Sequence, residues 1–421
     1  MKICSLYGAG FYYIPGTDTC IKIGGYVRAE WNYQAGGSFN PVRVYNFDDP
    51  ARDRYTERVR GGITVDVRSQ TAYGTLRGYA TILPTATNDN AIGGGPYATP
   101  GVFAPAIFVQ FAGFTWGKTA SFFDFDLQPY SNQTNIWGSN QGGNGQQVFA
   151  YTAQFGNGFS ASLSAEDPTS RRSSIVNVAA YGGRRFPDIV ANLRVDQAWG
   201  SAQIMGAIHD VYANYGGGVD DSDIGWAIGA GLRLNVPQVG AGDYFIAQVA
   251  YAEGASNYIG SNFGAGPLSM SLADGFPAMN NWALGVVTDA TRVAVNSMDL
   301  TKGWSVTAGY EHRWNPQWKT SLYGSYGELN YTNAASGFLS PTGRSADWSL
   351  WQIGSRTVWT PVANLDLSLE VLYTELNNSS FDGGSCAGAV GPGGAVGAAG
   401  CTFGSKGYVS GIFRAQRNFW P

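Results

Sequence analysis

Trp304-Ser305-Val306-Thr307-Ala308-Gly309-Tyr310-Glu311-His312-Arg313-Trp314 alternates in character at every step. Trp304, Val306, Ala308, Tyr310, His312 and Trp314 fall on one side, and Ser305, Thr307, Glu311 and Arg313 on the other. That period of two belongs to a β-strand with one apolar and one polar face. The two tryptophans share the apolar face ten residues apart. At about 3.3 Å per residue and a tilt of about 40°, they bracket about 25 Å of height, the span of a lipid-facing band with an aromatic girdle at each edge. Trp31, Tyr33, Trp318, Trp359 and Tyr373 also sit at the ends of such faces, where an indole or phenol keeps its polar edge wet.

The same alternation runs along the whole chain. In 21–33, Ile21, Ile23, Gly25, Val27, Ala29, Trp31 and Tyr33 oppose Lys22, Tyr26, Arg28, Glu30 and Asn32. In 54–68, Tyr55, Val59, Ile63, Val65 and Val67 oppose Arg54, Arg58, Arg60, Asp66 and Arg68, with Glu57 the only charge on the apolar side, near a strand end. Sixteen runs follow this rule, at about 21–33, 54–68, 72–83, 105–113, 114–119, 147–155, 159–166, 188–196, 201–212, 223–235, 243–253, 302–314, 317–330, 347–360, 363–376 and 406–419. Seven connections are tight, among them Ser69-Gln70-Thr71, Gly113-Phe114, Gly156-Asn157-Gly158 and Pro361-Val362. The other eight are long: 34–53, 84–104, 120–146, 167–187, 213–222, 254–301, 331–346 and 377–405. Short turns at one end and long loops at the other predict an all-β fold, a single 16-stranded antiparallel transmembrane β-barrel over 1–421 with short periplasmic turns and long external loops. Closure leaves no strand edge unpaired in lipid.

Composition narrows the alternatives. Only 13% of the 421 residues are charged, 44% are apolar, and mean hydropathy is −0.14. No stretch reaches the roughly 18 uncharged apolar residues of a membrane helix. A net charge of −4 offers nucleic acid no basic face. The segment Ala112 to Thr119 resembles a phosphate loop, but Ala112 replaces its first glycine and no helix follows, so it reads as a turn into the fifth strand. His209 and His312 are isolated, and neither a metal-ligand spacing nor a Gly-x-Ser-x-Gly elbow is present. Neither enzymatic chemistry nor a cofactor or metal is expected.

Four cysteines allow three pairings. Two local bridges are preferred, Cys4 with Cys20 and Cys386 with Cys401, because the first pair precedes the first strand at the short-turn end and the second lies in a loop at the other. Cross-pairing would have to span the membrane. Such bridges imply an oxidising compartment. The opening Met1-Lys2-Ile3-Cys4 carries no apolar run, so no signal peptide is expected here, and an exported chain would bear this numbering in its processed form. Residues 1–20 are read as a periplasmic N-terminal segment, and the Gly/Ala-rich 377–405 as an external loop.

Sixteen strands enclose more width than side chains can fill, so an aqueous bore is expected. Arg28, Arg60 and Arg77 have inward parity and are placed near mid-strand on three neighbours, a basic ladder with Arg58 just above and Glu30 and Asp66 in partial compensation. Guanidiniums so close repel one another, and acids are expected across the bore. The loop 120–146 supplies Asp124 and Asp126 within Phe122-Phe123-Asp124-Phe125-Asp126. Folded against the inner wall, its aromatics would bury while both carboxylates stood opposite the arginines, giving a constriction with a transverse field. The plainer reading is that these arginines only hydrate the lumen through ordinary ion pairs. Replacing Asp124 and Asp126 by Asn is expected to shift permeability toward anions.

The opening Cys4-Ser5-Leu6-Tyr7-Gly8-Ala9-Gly10-Phe11-Tyr12-Tyr13-Ile14-Pro15-Gly16-Thr17-Asp18-Thr19-Cys20, continuing through Ile21-Lys22-Ile23-Gly24-Gly25-Tyr26-Val27-Arg28, resembles the start of mature general porins of the Rhizobiales group of alphaproteobacteria. Phe413-Arg414-Ala415-Gln416-Arg417-Asn418-Phe419 is similar to that family's last strand. The resemblance implies a homotrimer in the Gram-negative outer membrane, surrounded by lipid and lipopolysaccharide, with the third external loop, here 120–146, folded into the channel. It also implies an aromatic assembly signal at Phe419, beyond which Trp420 and Pro421 extend in this chain. The function expected is passive diffusion of small hydrophilic solutes and ions. A substrate-specific channel is one alternative, though the inward Tyr26, Tyr79 and Tyr323 are few for a sugar path. A structural or adhesive surface barrel, suggested by loops 254–301 and 377–405, is the other.

Overall fold

The computed structural model describes residues 3–33, 43–44, 55–87, 101–126, 129–130, 137–139, 145–178, 181–214, 220–260, 268–273, 279–339, 345–377, 384–385 and 397–419. Alternating side chains build sixteen barrel strands: β1 (Cys20–Tyr33), β2 (Tyr55–Thr71), β3 (Gly74–Thr87), β4 (Gly101–Phe111), β5 (Phe114–Thr119), β6 (Gln146–Gly156), β7 (Phe159–Glu166), β8 (Asp188–Gln197), β9 (Gly200–Asn214), β10 (Asp220–Asn235), β11 (Tyr244–Glu253), β12 (Lys302–Arg313), β13 (Trp318–Asn330), β14 (Trp348–Val362), β15 (Leu365–Asn377) and β16 (Lys406–Asn418). Each pairs antiparallel with its sequence neighbours, and β16 closes on β1. That seam runs from Tyr26↔Asn418 to Tyr33↔Gly411. Below it, Tyr12 and Tyr13 pair with Ile21 and Cys20. The Cys4–Cys20 disulfide fixes this N-terminal segment beneath β1.

Exposure follows the predicted parity. Val27, Val59 and Ile63 are 61%, 54% and 47% exposed on the outside, while Arg28, Glu30 and Arg60 between them are buried on the inside. Aromatics gather at both edges of the outer surface. Trp318 stacks on Trp359 near the short turns, and Trp304 packs on Tyr326 at the long-loop end.

The turns follow from local chemistry. Asn157 and Gly158 take φ of +49° and +76°, the left-handed pair that a two-residue type I′ hairpin requires. Ala112 and Gly113 do the same before β5, which gives the phosphate-loop look-alike its structural role. Two turns fall later than the sequence reading places them. The β2–β3 ladder continues to Thr71↔Gly74, so the turn is Ala72-Tyr73 rather than 69–71. Pro361 has no N–H for the ladder and falls within a register shift, so the β14–β15 turn is Ala363-Asn364, with Asn364 at φ +66°.

The long connections are structured. Arg43–Val44, Leu268–Ala273, Met279–Val287 and Gly397–Phe403 form a four-stranded sheet, and Ile175–Val176, Ala290–Ala294 and Ser297–Leu300 a three-stranded one. Asn333–Leu339 is a helix. A dry cluster also lies inside the barrel on one side, where Phe123, Phe125 and Trp137 of the third long connection meet Ile246, Leu329 and Leu350 of the wall.

Candidate pore constriction

On the β16–β1–β2 wall, four guanidiniums gather about one carboxylate. Register places Glu30 opposite Arg58 on β2 and Arg414 on β16, and Arg28 opposite Arg60. Glu30 accepts from Arg58 Nε at 2.6 Å and from Arg414 Nε at 2.8 Å, and Arg28 Nε lies 3.4 Å away. Arg60 donates to Thr85 Oγ1 at 2.8 Å, and its guanidinium lies over the Phe103 ring at 4.8 Å. Arg28 lies 5.1 Å from the centre of the Tyr26 ring. Aromatic faces attract cations, which holds these side chains flat against the wall. The group carries three formal positive charges in excess.

Arg77 belongs to a lower tier. Its register partner is Arg68, whereas Arg60 pairs with Thr85, eight positions further along β3. Arg77 and Arg68 both donate to Asp66, at 2.9 and 2.8 Å, and Arg77 also reaches Gln110 at 3.0 Å. The mid-strand position expected for Arg77 is displaced toward the short-turn end because the β2–β3 turn comes three residues late.

The third long connection lies against the far side of the ring, where β9 stands eight strands from β1. Asn192 Nδ2 donates to the Phe122 carbonyl at 2.6 Å, and Gln203 Nε2 to the Asp124 carbonyl at 3.2 Å. Phe125 seats on Gly231 and Trp137 on Gly327, where an added Cβ would come within 2.3 and 2.5 Å of their rings. Each aromatic so buried stabilises the inserted loop by about 2 kcal/mol. The loop also bonds to β14: Arg356 donates to the Tyr130 carbonyl at 2.9 Å, and the Trp137 indole to the Leu350 carbonyl at 2.8 Å.

Both loop acids meet bases on their own side. Asp124 accepts from Arg171 at 2.7 Å, and its side chain is only 6% exposed. Asp126 pairs with Arg194 at 3.1 Å, which also holds Asp196 at 2.9 Å. The structure therefore brings Arg28, Glu30, Arg58 and Arg60 together on one wall, Asp124 and Asp126 together on the other, and sets Arg77 apart. Arg414 and Arg171 escaped the sequence reading. Arg414 could have been found by pairing the inward parity of the last strand with the first; Arg171 lies in a loop with no periodicity to mark it.

Arg171 is fully buried and joins four elements. Besides Asp124 it donates to the carbonyls of Ser139 at 2.8 Å and Asn257 at 3.0 Å, and to Gln146 Oε1 at 3.3 Å, and it packs on the Tyr258 ring at 4.6 Å. Burial disfavours its charge, yet the neighbouring Asp124 carboxylate more than offsets this and holds the guanidinium above its ordinary value. Both limbs of the inserted loop are thereby tied to one residue of the fourth long connection. Close by, His209 is paired to Asp188 at 2.8 Å, and Asp289 accepts from Tyr181, Ser173 and Ser256, so the buried histidine is part of the loop anchorage. Near the short turns, His312 likewise pairs with Asp243 at 2.6 Å.

Phe419 donates its amide to the Gly25 carbonyl at 3.0 Å and exposes its ring on the outer face beside the seam. Cys386 and the Cys401 side chain lie outside the described residues, as does most of 377–405. Among the described residues, no three His, Cys, Asp or Glu converge on a metal site.

A closed sixteen-stranded ring with an apolar exterior, an ionised interior and a loop folded within defines the porin class of membrane barrels. The family model described as "Porin subfamily" matches residues 1–401, and the chain belongs to this family. Its place is the outer membrane. Over 205 residues it is 28% identical to Porin Omp2b of Brucella suis biovar 1, an alignment covering 48% of this chain and 54% of the relative. Porin Omp2b of Brucella melitensis matches to the same extent, also 28% over 205 residues. The chain spans about half the length of the curated relatives it matches. Among solved structures, the outer membrane channel DcaP of Acinetobacter baumannii superposes with a TM-score of 0.65 at 15% identity, covering 97% of this chain and 99% of that one, and so shares the fold. The alphaproteobacterial porin resemblance of the opening block and the expected sixteen-stranded barrel both hold.

Proposed function

We propose that the barrel is a passive, non-enzymatic channel for small hydrophilic solutes and ions, weakly favouring anions, and that it works as a homotrimer. The observation that carries this reading is the asymmetric lining. Three arginines share Glu30 on one wall with Arg60 beside them, while Asp124 and Asp126 opposite are each met by a base. The narrowest passage lies between that wall and the inserted loop, and its constriction residues are Arg28, Glu30, Arg58, Arg60 and Arg414 opposite the segment carrying Asp124 and Asp126. Arg77 acts below it, toward the periplasmic mouth. A positive lumen wall raises the local concentration of anions and lowers that of cations. Phe419 is proposed as the assembly signal, its ring being presented outward at the closing seam.

Purified protein in planar bilayers tests this directly. The proposal expects a large ohmic conductance per channel, in steps of three per insertion. Saturation by one solute would instead support a substrate-specific channel, and absence of conductance a structural or adhesive barrel.

A further inference from the structure

A second basic group lines the bore on another wall, nearer the short turns. Register sets Tyr244 on β11 across from Glu311 on β12, Glu311 across from Ser321 on β13, and Ser321 across from Arg356 on β14. One inward position closer to the turn, Arg313 faces Lys319. Glu311 therefore receives three bases: Arg356 at 3.0 Å, Lys319 at 3.2 Å and Arg313 at 4.0 Å. Arg233 joins them from β10, its guanidinium 4.1 Å from the centre of the Tyr244 ring. The charges of Glu311, Arg356, Arg233 and Arg313 all act on the Tyr244 hydroxyl. Arg233 is the next inward position after Gly231, on which Phe125 seats, so the group begins directly beneath the inserted loop.

The acids in this neighbourhood are engaged, and donors are left over. Glu311 is buried among its three bases. Glu370, across from Arg356, accepts from the Tyr323 hydroxyl, and Asp126 and Asp196, on the β8 side, are held by Arg194. Among the described residues, neither the Arg233 guanidinium nor the Tyr244 hydroxyl has a hydrogen-bond partner. Stacking occupies the guanidinium's face and leaves its N–H edge for a ligand. Arg313 is exposed and Lys319 half-buried, so both reach the same water. Arg233 also borders a polar recess of about 770 Å³ by the short turns, together with Arg194, Ser201 and Asn235.

A positive wall alone would serve chloride as well as any other anion. Unmet N–H and O–H donors call for more than charge: they suit an anion whose oxygens accept several hydrogen bonds at once, which arginine forks supply in pairs. Four bases about one shared carboxylate favour an anion carrying more than one charge.

We propose that Arg233, Tyr244, Arg313 and Lys319 form a binding site for multiply charged oxyanions of the phosphate type, on the short-turn side of the inserted loop. The site lies along the wall beneath the loop, and small ions continue to pass when it is occupied. It stands on a different wall from the one that sets ionic preference in the reading above, and is tested apart from it.

The test titrates the full chain in detergent micelles with inorganic phosphate at constant ionic strength, read by broadening of the phosphorus NMR line. Wild type should bind phosphate, and equimolar chloride should not displace it. Arg233→Gln with Lys319→Gln should weaken that binding at least about tenfold. Undiminished binding by this variant overturns the proposal. Displacement by equimolar chloride also overturns it, since that marks attraction by the field alone. Loss of binding through Arg28→Gln with Arg60→Gln instead would move the site to the β16–β1–β2 wall and is equally contradictory. If the double variant fails to migrate as a folded species on an unboiled gel, Arg233→Gln alone, which breaks none of the described ion pairs, should weaken binding at least about threefold; no weakening contradicts the site. A wild type that binds phosphate here yet passes potassium faster than chloride would count against the proposed anion preference and leave this site standing.

Discussion

On the β16–β1–β2 wall three guanidiniums share the single carboxylate of Glu30 with that of Arg60 beside them, whereas on the β8–β9 wall, half a turn of the barrel away, Asp124 is met by Arg171 and Asp126 by Arg194. The first arrangement leaves charge in excess and holds it flat over Tyr26 and Phe103. The second spends its charge on attachment. On the proposed function, ionised residues in one lumen thus serve two ends: those in excess set the potential a solute meets, and those in balance hold the inserted loop against the wall.

Arg171→Met should have the largest effect, because it removes the buried guanidinium that ties Asp124, Ser139 and Asn257 together. A cost of about 3 to 5 kcal/mol falls on the loop and not on the strand ladder. The barrel should still migrate as a folded species on an unboiled gel while single-channel records show frequent closures. Records as quiet as wild type would remove Arg171 as the anchor. Glu30→Gln comes next: it leaves three arginines without their shared acid in a wet lumen and should lower denaturant resistance by about 2 kcal/mol while raising anion preference. Gly327→Val should displace Trp137 toward the bore at about 1 to 3 kcal/mol, reducing conductance with little change in selectivity. The smallest effect belongs to Asp124→Asn with Asp126→Asn, whose charges are already met; the shift toward anions should be less than about twofold in permeability ratio. A larger shift would return the loop acids to the control of selectivity.

The fold was legible because a barrel repeats one physical rule, outward apolar and inward polar, in every strand. All sixteen strands, the inward parity of Arg28, Glu30, Arg58 and Arg60, and the inward course of the loop around Phe123 and Phe125 follow from it. Where the rule stops, legibility stops. Turn positions depend on single residues such as Gly74 and Pro361, and a three-residue error there moved Arg77 out of its tier. Arg414 meets Glu30 across 384 positions of sequence, a contact visible only once closure is imposed. Arg171 sits in an aperiodic loop. The pairing that neutralises Asp124 was therefore hidden, while its place inside the barrel was not.

The most direct test of this charge asymmetry is the zero-current potential across a KCl gradient, for wild type and for Arg28→Gln with Arg60→Gln. The structure predicts that wild type passes chloride faster than potassium and that the double substitution brings the ratio about twofold closer to unity. A wild-type preference for potassium, or a ratio untouched by the two substitutions, would contradict the claim that the β16–β1–β2 wall governs the bore.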